Sequence, residues 1–129
     1  MRPKPANGTV PIIIGGHSKA AAARAGRVAD GFFPARGASP ELLALVRRSA
    51  EEAGRDPASV EITASMPDDP TLLPAMAAVG IRRALVPVTG VAGLKRAATG
   101  IEGVLSWKDT IDKYAALQPT AAGDKYAAL

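Results

Sequence analysis

Four times in this chain a short apolar run is followed by a turn and, in most cases, a stretch with helical spacing. That alternation leaves few folds open. The strand-like runs are Val10–Ile14, Phe32–Pro34, Val60–Ala64 and Ala84–Val88. Between them lie the alanine-rich Ala20–Ala29, a segment opened by Ser39-Pro40-Glu41 and another opened by Asp68-Asp69-Pro70. Alanine is the best helix former, and a serine followed by proline and an acid is a strong helix start. A repeated strand–helix chain needs crossover connections, so its strands run parallel with helices packed on the sheet. Short, almost wholly apolar strands fit a sheet covered in this way. The expected fold class is α/β, built from parallel βα units.

Local signals fix the expected boundaries. Asp30-Gly31 turns the chain into the second strand. Leu42, Val46, Ser49, Ala50 and Ala53 share one helical face, and Gly54 stops that helix. Pro74 falls inside the third helical segment, so that helix either starts late or begins irregularly. Pro87 lacks an N–H and belongs near a strand end or at an unpaired position. Residues 89–105 hold four glycines and give no clear assignment. Ser106-Trp107-Lys108-Asp109 is a weak capping-box pattern, after which Trp107, Ile111, Tyr114 and Ala115 share a face of a last helix. Residues 1–9 read as an extended arm and 10–117 as one domain. A tail over 118–129 repeats the hexapeptide Asp-Lys-Tyr-Ala-Ala-Leu, at 112–117 and again at 124–129.

Composition removes several classes of function. Of 129 residues, 47% are hydrophobic and 22% charged, which suits a packed domain rather than a disordered one. Aromatics are 4%, too few for a stacking surface, and the net charge of +4 shows no clustered basic face, so nucleic acid is not an expected partner. The absence of cysteine excludes disulfides, thiolate catalysis and Cys-ligated zinc. A single histidine makes a histidine-based metal site unfavourable. No apolar run approaches the ~20 residues of a membrane span, and the N-terminus has no signal-peptide core. A soluble cytoplasmic protein is expected, with no membrane partner.

The candidate site is Gly15, Gly16, His17 and Ser18. Here an apolar strand gives way through two glycines to the start of a helix, where backbone N–H groups and the helix dipole favour a phosphate. The alternative is a tight βα turn with no ligand. His17 can hydrogen-bond a phosphate or polarise a substrate, and it can equally cap the helix. Ser18 can serve as the N-cap, offer its hydroxyl to an anion, or do both. Lys19 is the nearest cation and reads as a solvated helix residue. Arg36 follows the second strand and either reaches the same mouth or lies on a surface loop. Asp68 and Asp69 resemble a catalytic carboxylate pair, yet their position before Pro70 favours helix capping. The spacing does not match G-x-G-x-x-G, and no ATP-type P-loop is present. No residue reads as catalytic and none as a metal ligand.

The spelling is more specific than the spacing. The run from Val10 through Ile12-Ile13-Ile14-Gly15-Gly16-His17-Ser18 to Ala29-Asp30-Gly31-Phe32-Phe33-Pro34 resembles the C-terminal half of the luciferase-like monooxygenases. The similarity is strongest to the branch using the deazaflavin coenzyme F-420. Glu51–Pro57, Glu61-Ile62-Thr63 and Val79–Pro87 resemble the same family, so the likeness covers about residues 2–90. It implies a TIM (β/α)8 barrel with FMN or coenzyme F-420 across the C-terminal ends of the strands. It also implies that Gly15, Gly16, His17 and Ser18 hold the cofactor phosphate, while the hydride chemistry belongs to the cofactor. Such a barrel takes ~250 residues, and this chain accommodates four βα units, which resemble the last four. The expectation is therefore a half-barrel, the C-terminal portion of an oxidoreductase or monooxygenase, with little or no turnover alone. A homodimer or a complementary N-terminal half-barrel chain is the expected partner. The alternative is a non-catalytic half-barrel binding or assembly module.

Overall fold

The computed structural model describes residues 4–86 and 100–117. Four strands, β1 (Ile13–Gly16), β2 (Gly31–Pro34), β3 (Glu61–Ser65) and β4 (Ile81–Leu85), alternate with helices α1 (Lys19–Val28), α2 (Pro40–Glu52) and α3 (Leu73–Ala78). Two short helices follow, α4 (Gly100–Leu105) and α5 (Lys108–Tyr114). All strand pairs are parallel, and the sheet order is β1-β2-β3-β4. Sequence neighbours are thus sheet neighbours throughout. A doubly wound sheet reverses direction at a switch point, whereas a barrel adds each unit on the same side of the last. The fold is α/β, with the strand order of a half-barrel.

One face of the sheet makes the core. Ile14, Phe32 and Ile62 stand opposite one another in register, with Ile81 beside Ile62. They meet Ala22 and Ala25 of α1, Ala29 just past its end, and Leu42, Leu43, Val46 and Ala50 of α2. Phe32, Leu43 and Val46 are fully buried, each contributing about 1.5–3 kcal/mol relative to exposure. The small residues of α1 bring it close to α2. A Cβ added at Gly26 would stand 2.9 Å from the Ser49 Cβ and 3.0 Å from the Ala50 nitrogen, while also striking the Val46 carbonyl. Two arginines lock the helix layer. Arg47 is buried in α2 and donates to the Val79 carbonyl at the end of α3. Arg55 donates to the carbonyls of Gly26 (2.6 Å) and Ala29 (2.8 Å), closing the C-terminal end of α1.

By strand alternation, Ile13, Gly15, Phe33, Glu61, Thr63 and Ser65 turn to the opposite face. Register places Arg83 beside Thr63 and Leu85 beside Ser65. Ile13 packs over Gly31, and Glu61 pairs with Arg83 at 2.8 Å. An irregularity between Ile62 and Thr63 inserts Arg82 into β4, whose guanidinium also reaches Glu61, at 3.9 Å.

Several boundaries differ from the sequence expectation, for reasons of pairing. β1 begins at Ile13, not Val10, and runs through both glycines, because Gly15 and Gly16 pair with Phe33 and Pro34. The preceding Ile12 is held by Asp30: its N–H donates to the Asp30 carboxylate (2.8 Å), and its carbonyl accepts from the Asp30 and Gly31 amides. β4 begins at Ile81, directly after Gly80 turns the chain at a φ of 85°, and ends at Leu85. The expected end of that strand, with Pro87, lies outside the described residues. The third helical segment both starts late and begins irregularly: a 3-10 turn over Pro70–Leu72 precedes α3. The capping box at Ser106 does not form. Ser106 Oγ donates back to the Gly103 carbonyl, and Trp107 occupies the N-cap position without capping the helix through its side chain. The second copy of the hexapeptide lies outside the described residues.

Candidate functional site

The turn between β1 and α1 is built from the expected residues, with their parts redistributed. Gly15 and Gly16 are the last two residues of the strand, and the turn proper is His17-Ser18. Gly16 is the hinge. Its φ is 144°, and a Cβ there would lie 2.9 Å from the Cβ of Ala21, which is fixed on α1. An L side chain at that position is strained on both counts. Gly15 has no such requirement. Its φ is negative, and an added Cβ would find the Phe33 carbonyl at 3.9 Å, an ordinary contact. Glycine weakens a strand and commonly marks a place where a ligand or another backbone comes close.

Ser18 is the N-cap of α1. Its backbone is extended, and its Oγ accepts from the Ala21 amide at 3.1 Å. The first helical bond runs from the Ala22 amide to the Ser18 carbonyl. The Lys19 and Ala20 amides therefore lie in the first turn with no acceptor inside the helix. No acidic residue occupies that turn, so no carboxylate of the helix itself neutralises the positive end of the dipole. His17 is exposed beside this opening. Lys19, expected to be simply solvated, pairs with Glu41 of the first turn of α2 at 2.7 Å. That hydrogen bond and charge hold the Glu41 carboxyl below its ordinary value. Both side chains are exposed, so the pair links the two helix starts with little energy.

The loops after β2 and β3 open on the same edge of the sheet. Arg36 is exposed in the first of them. A cleft of 380 Å³ lies between the two loops, lined by Gly37, Ala38, Ser65, Met66 and Asp68 among others. Asp69 acts as a cap rather than as half of a carboxylate pair. Its Oδ1 accepts from the hydroxyl and the amide of Thr71, which together lower its pKa. Among the described residues, no group of three or more His, Asp or Glu side chains could hold a metal ion.

Two contributors to the site's support were not singled out from the sequence. Asp30 fixes the approach into β1, and Arg55 clamps the far end of α1. The Asp-Gly pair signalled only a turn, and a long-range arginine contact has no local signature.

No described helix is long and apolar enough to cross a membrane. No curated protein matches the chain. The family model described as luciferase-like monooxygenase matches residues 1–68, a span that takes in β1, β2, β3, α1, α2 and the whole glycine turn. With just over half of its length matched, and with its parallel βα units added in barrel order, the chain belongs to the luciferase-like monooxygenase family.

Proposed function

We propose that the chain binds the phosphate end of a flavin or deazaflavin, FMN or coenzyme F-420, at the turn from Gly15 to Ser18. The observation that carries this reading is Gly15. Neither backbone conformation nor packing requires a glycine there, yet it stands at the C-terminal end of a barrel-type strand, beside a helix whose own first turn carries no acid. Barrel ligands collect at that end of the strands. In this arrangement Gly15 lets the phosphate approach the backbone. The Lys19 and Ala20 amides donate to it, and the Ser18 hydroxyl and His17 line its edge. The cofactor, when bound, supplies hydride transfer or oxygen activation. The residues of this chain orient it and hold its charge. As the C-terminal portion of a barrel, the chain grips the cofactor phosphate without completing an active site, and turnover alone is low.

The test is a titration of the purified protein with FMN and with F-420, followed by quenching of cofactor fluorescence. Saturable quenching that is lost on Gly16→Val, measured where the variant is folded by circular dichroism, supports the reading. Absence of quenching with both cofactors, or equal affinity in the variant, overturns it. A folded protein that binds neither cofactor is the non-catalytic half-barrel module instead.

A further inference from the structure

We propose that Glu41 sets the anion affinity of the Gly15–Ser18 turn by competing with a bound phosphate for the Lys19 ammonium. This role for Glu41 rests on the cofactor reading, to which it adds the residue that regulates the same site. Lys19 is the first residue of α1, so its amide is one of the donors at the turn. Its ammonium ends a flexible four-carbon stem rooted at the same place. One residue can therefore offer an anion both a backbone and a side-chain donor. The ammonium is engaged instead by a carboxylate of another helix, Glu41 Oε1 at 2.7 Å. Glu41 stands in the first turn of α2, directly after Pro40. The first turn of α1 has no acid of its own, and Glu41 supplies the negative charge from across the helix pair. It neutralises the cation of that turn and repels an incoming anion.

The pair is weak enough to exchange. The Lys19 and Glu41 side chains are 73% and 70% exposed, and ion pairs open to water contribute little. A phosphate monoester carries between one and two negative charges near neutral pH, against one for a carboxylate, so it draws the ammonium more strongly. Exchange does not strand Glu41. It stays in water at the first turn of α2, whose positive end favours a carboxylate. Neither residue belongs to the buried cluster, so the exchange moves no core side chain. The ligand class that gains most is a compact dianion, of which a phosphate monoester such as that of FMN is the example. A monoanion has less with which to displace Glu41.

The experiment is a titration of the full chain with FMN, read by fluorescence quenching at about 0.05 M ionic strength, where charges are screened over about 14 Å. It compares wild type, Glu41→Gln, Lys19→Met and the double variant, each checked for folding by circular dichroism. Glu41→Gln should tighten binding about three- to tenfold, and Lys19→Met should weaken it by a similar factor. In the Lys19→Met background the gain from Glu41→Gln should fall to less than half, because only direct repulsion is then relieved. Glu52→Gln removes the same charge at the far end of α2, about 16 Å further along the helix, and should leave the affinity unchanged. Binding by Glu41→Gln alone, with none detected in wild type, also supports the proposal. Wild-type binding that Glu41→Gln leaves unchanged overturns it while the cofactor reading stands. So does an equal gain in both backgrounds, or an equal gain from Glu52→Gln. No binding by wild type and Glu41→Gln alike overturns both.

Discussion

Replacing Gly16 by alanine should unsettle the fold far more than the same change one residue earlier. At Gly16 a non-glycine residue must hold a φ of 144°, in a region that costs about 1–3 kcal/mol. Its Cβ would also lie 2.9 Å from the Cβ of Ala21. That methyl has no rotamer to change, so α1 must shift by tenths of an ångström, and overpacking of this kind costs about 1–3 kcal/mol. Reduced freedom of the unfolded chain returns about 0.4–1 kcal/mol. The net loss is about 1–5 kcal/mol, which for a chain of this size lowers Tm by roughly 4–20 °C. Gly15→Ala meets neither obstacle and removes a glycine from a strand, so its stability should match or exceed the wild type by up to about 1 kcal/mol. The assay is urea and thermal denaturation followed at 222 nm, at one fixed protein concentration. Equal stability of Gly16→Ala and wild type would refute the hinge argument. A large loss in Gly15→Ala would show that the glycine has a structural duty and remove the main support for a ligand there.

Two further substitutions separate binding from folding and test the clamp on α1. Ser18→Ala and Ser39→Ala each remove an N-cap hydroxyl and should each cost about 1 kcal/mol in denaturation, but only Ser18→Ala should weaken FMN binding. Equal binding in the two variants would leave Ser18 as a cap alone. Arg55→Met keeps much of the side-chain length but deprives the Gly26 and Ala29 carbonyls of a charged donor. A loss of about 1.5–3 kcal/mol is expected in urea melts, and a change under 0.5 kcal/mol would mean the clamp is dispensable.

The strand–helix alternation was legible because each element carries its own local chemistry. Ser39-Pro40-Glu41 starts α2, Asp69 caps the turn before α3, and Ile14, Phe32 and Ile62 are the apolar centres of their strands. Strand ends were less legible, because they depend on a partner. The isoleucine run reads as the strand and the glycines as its stop, yet register with β2 carries pairing through Gly16 and leaves Val10–Ile12 outside. Likewise Ile81 pairs with Ile62, which starts β4 three residues before the expected Ala84. At the site, sequence read Gly15, Gly16, His17 and Ser18 as one turn, whereas the two glycines end β1 and His17-Ser18 make the turn. It did not distinguish Gly16, which the backbone demands, from Gly15, which it does not. Nor did it pair Lys19 with Glu41, a contact 22 positions apart in sequence that needs α1 and α2 side by side.

The phosphorus resonance of FMN is the most direct probe of the central claim, since it reports on the phosphate itself. With wild-type protein the line should shift or broaden saturably. With a folded Gly15→Val protein, where branched atoms occupy the approach to the backbone, it should keep its free-solution position and width. Riboflavin, which lacks the phosphate, should compete poorly for the same site. An unperturbed phosphorus line in the wild type, or equal perturbation in the folded Gly15→Val variant, would contradict a phosphate grip at this turn.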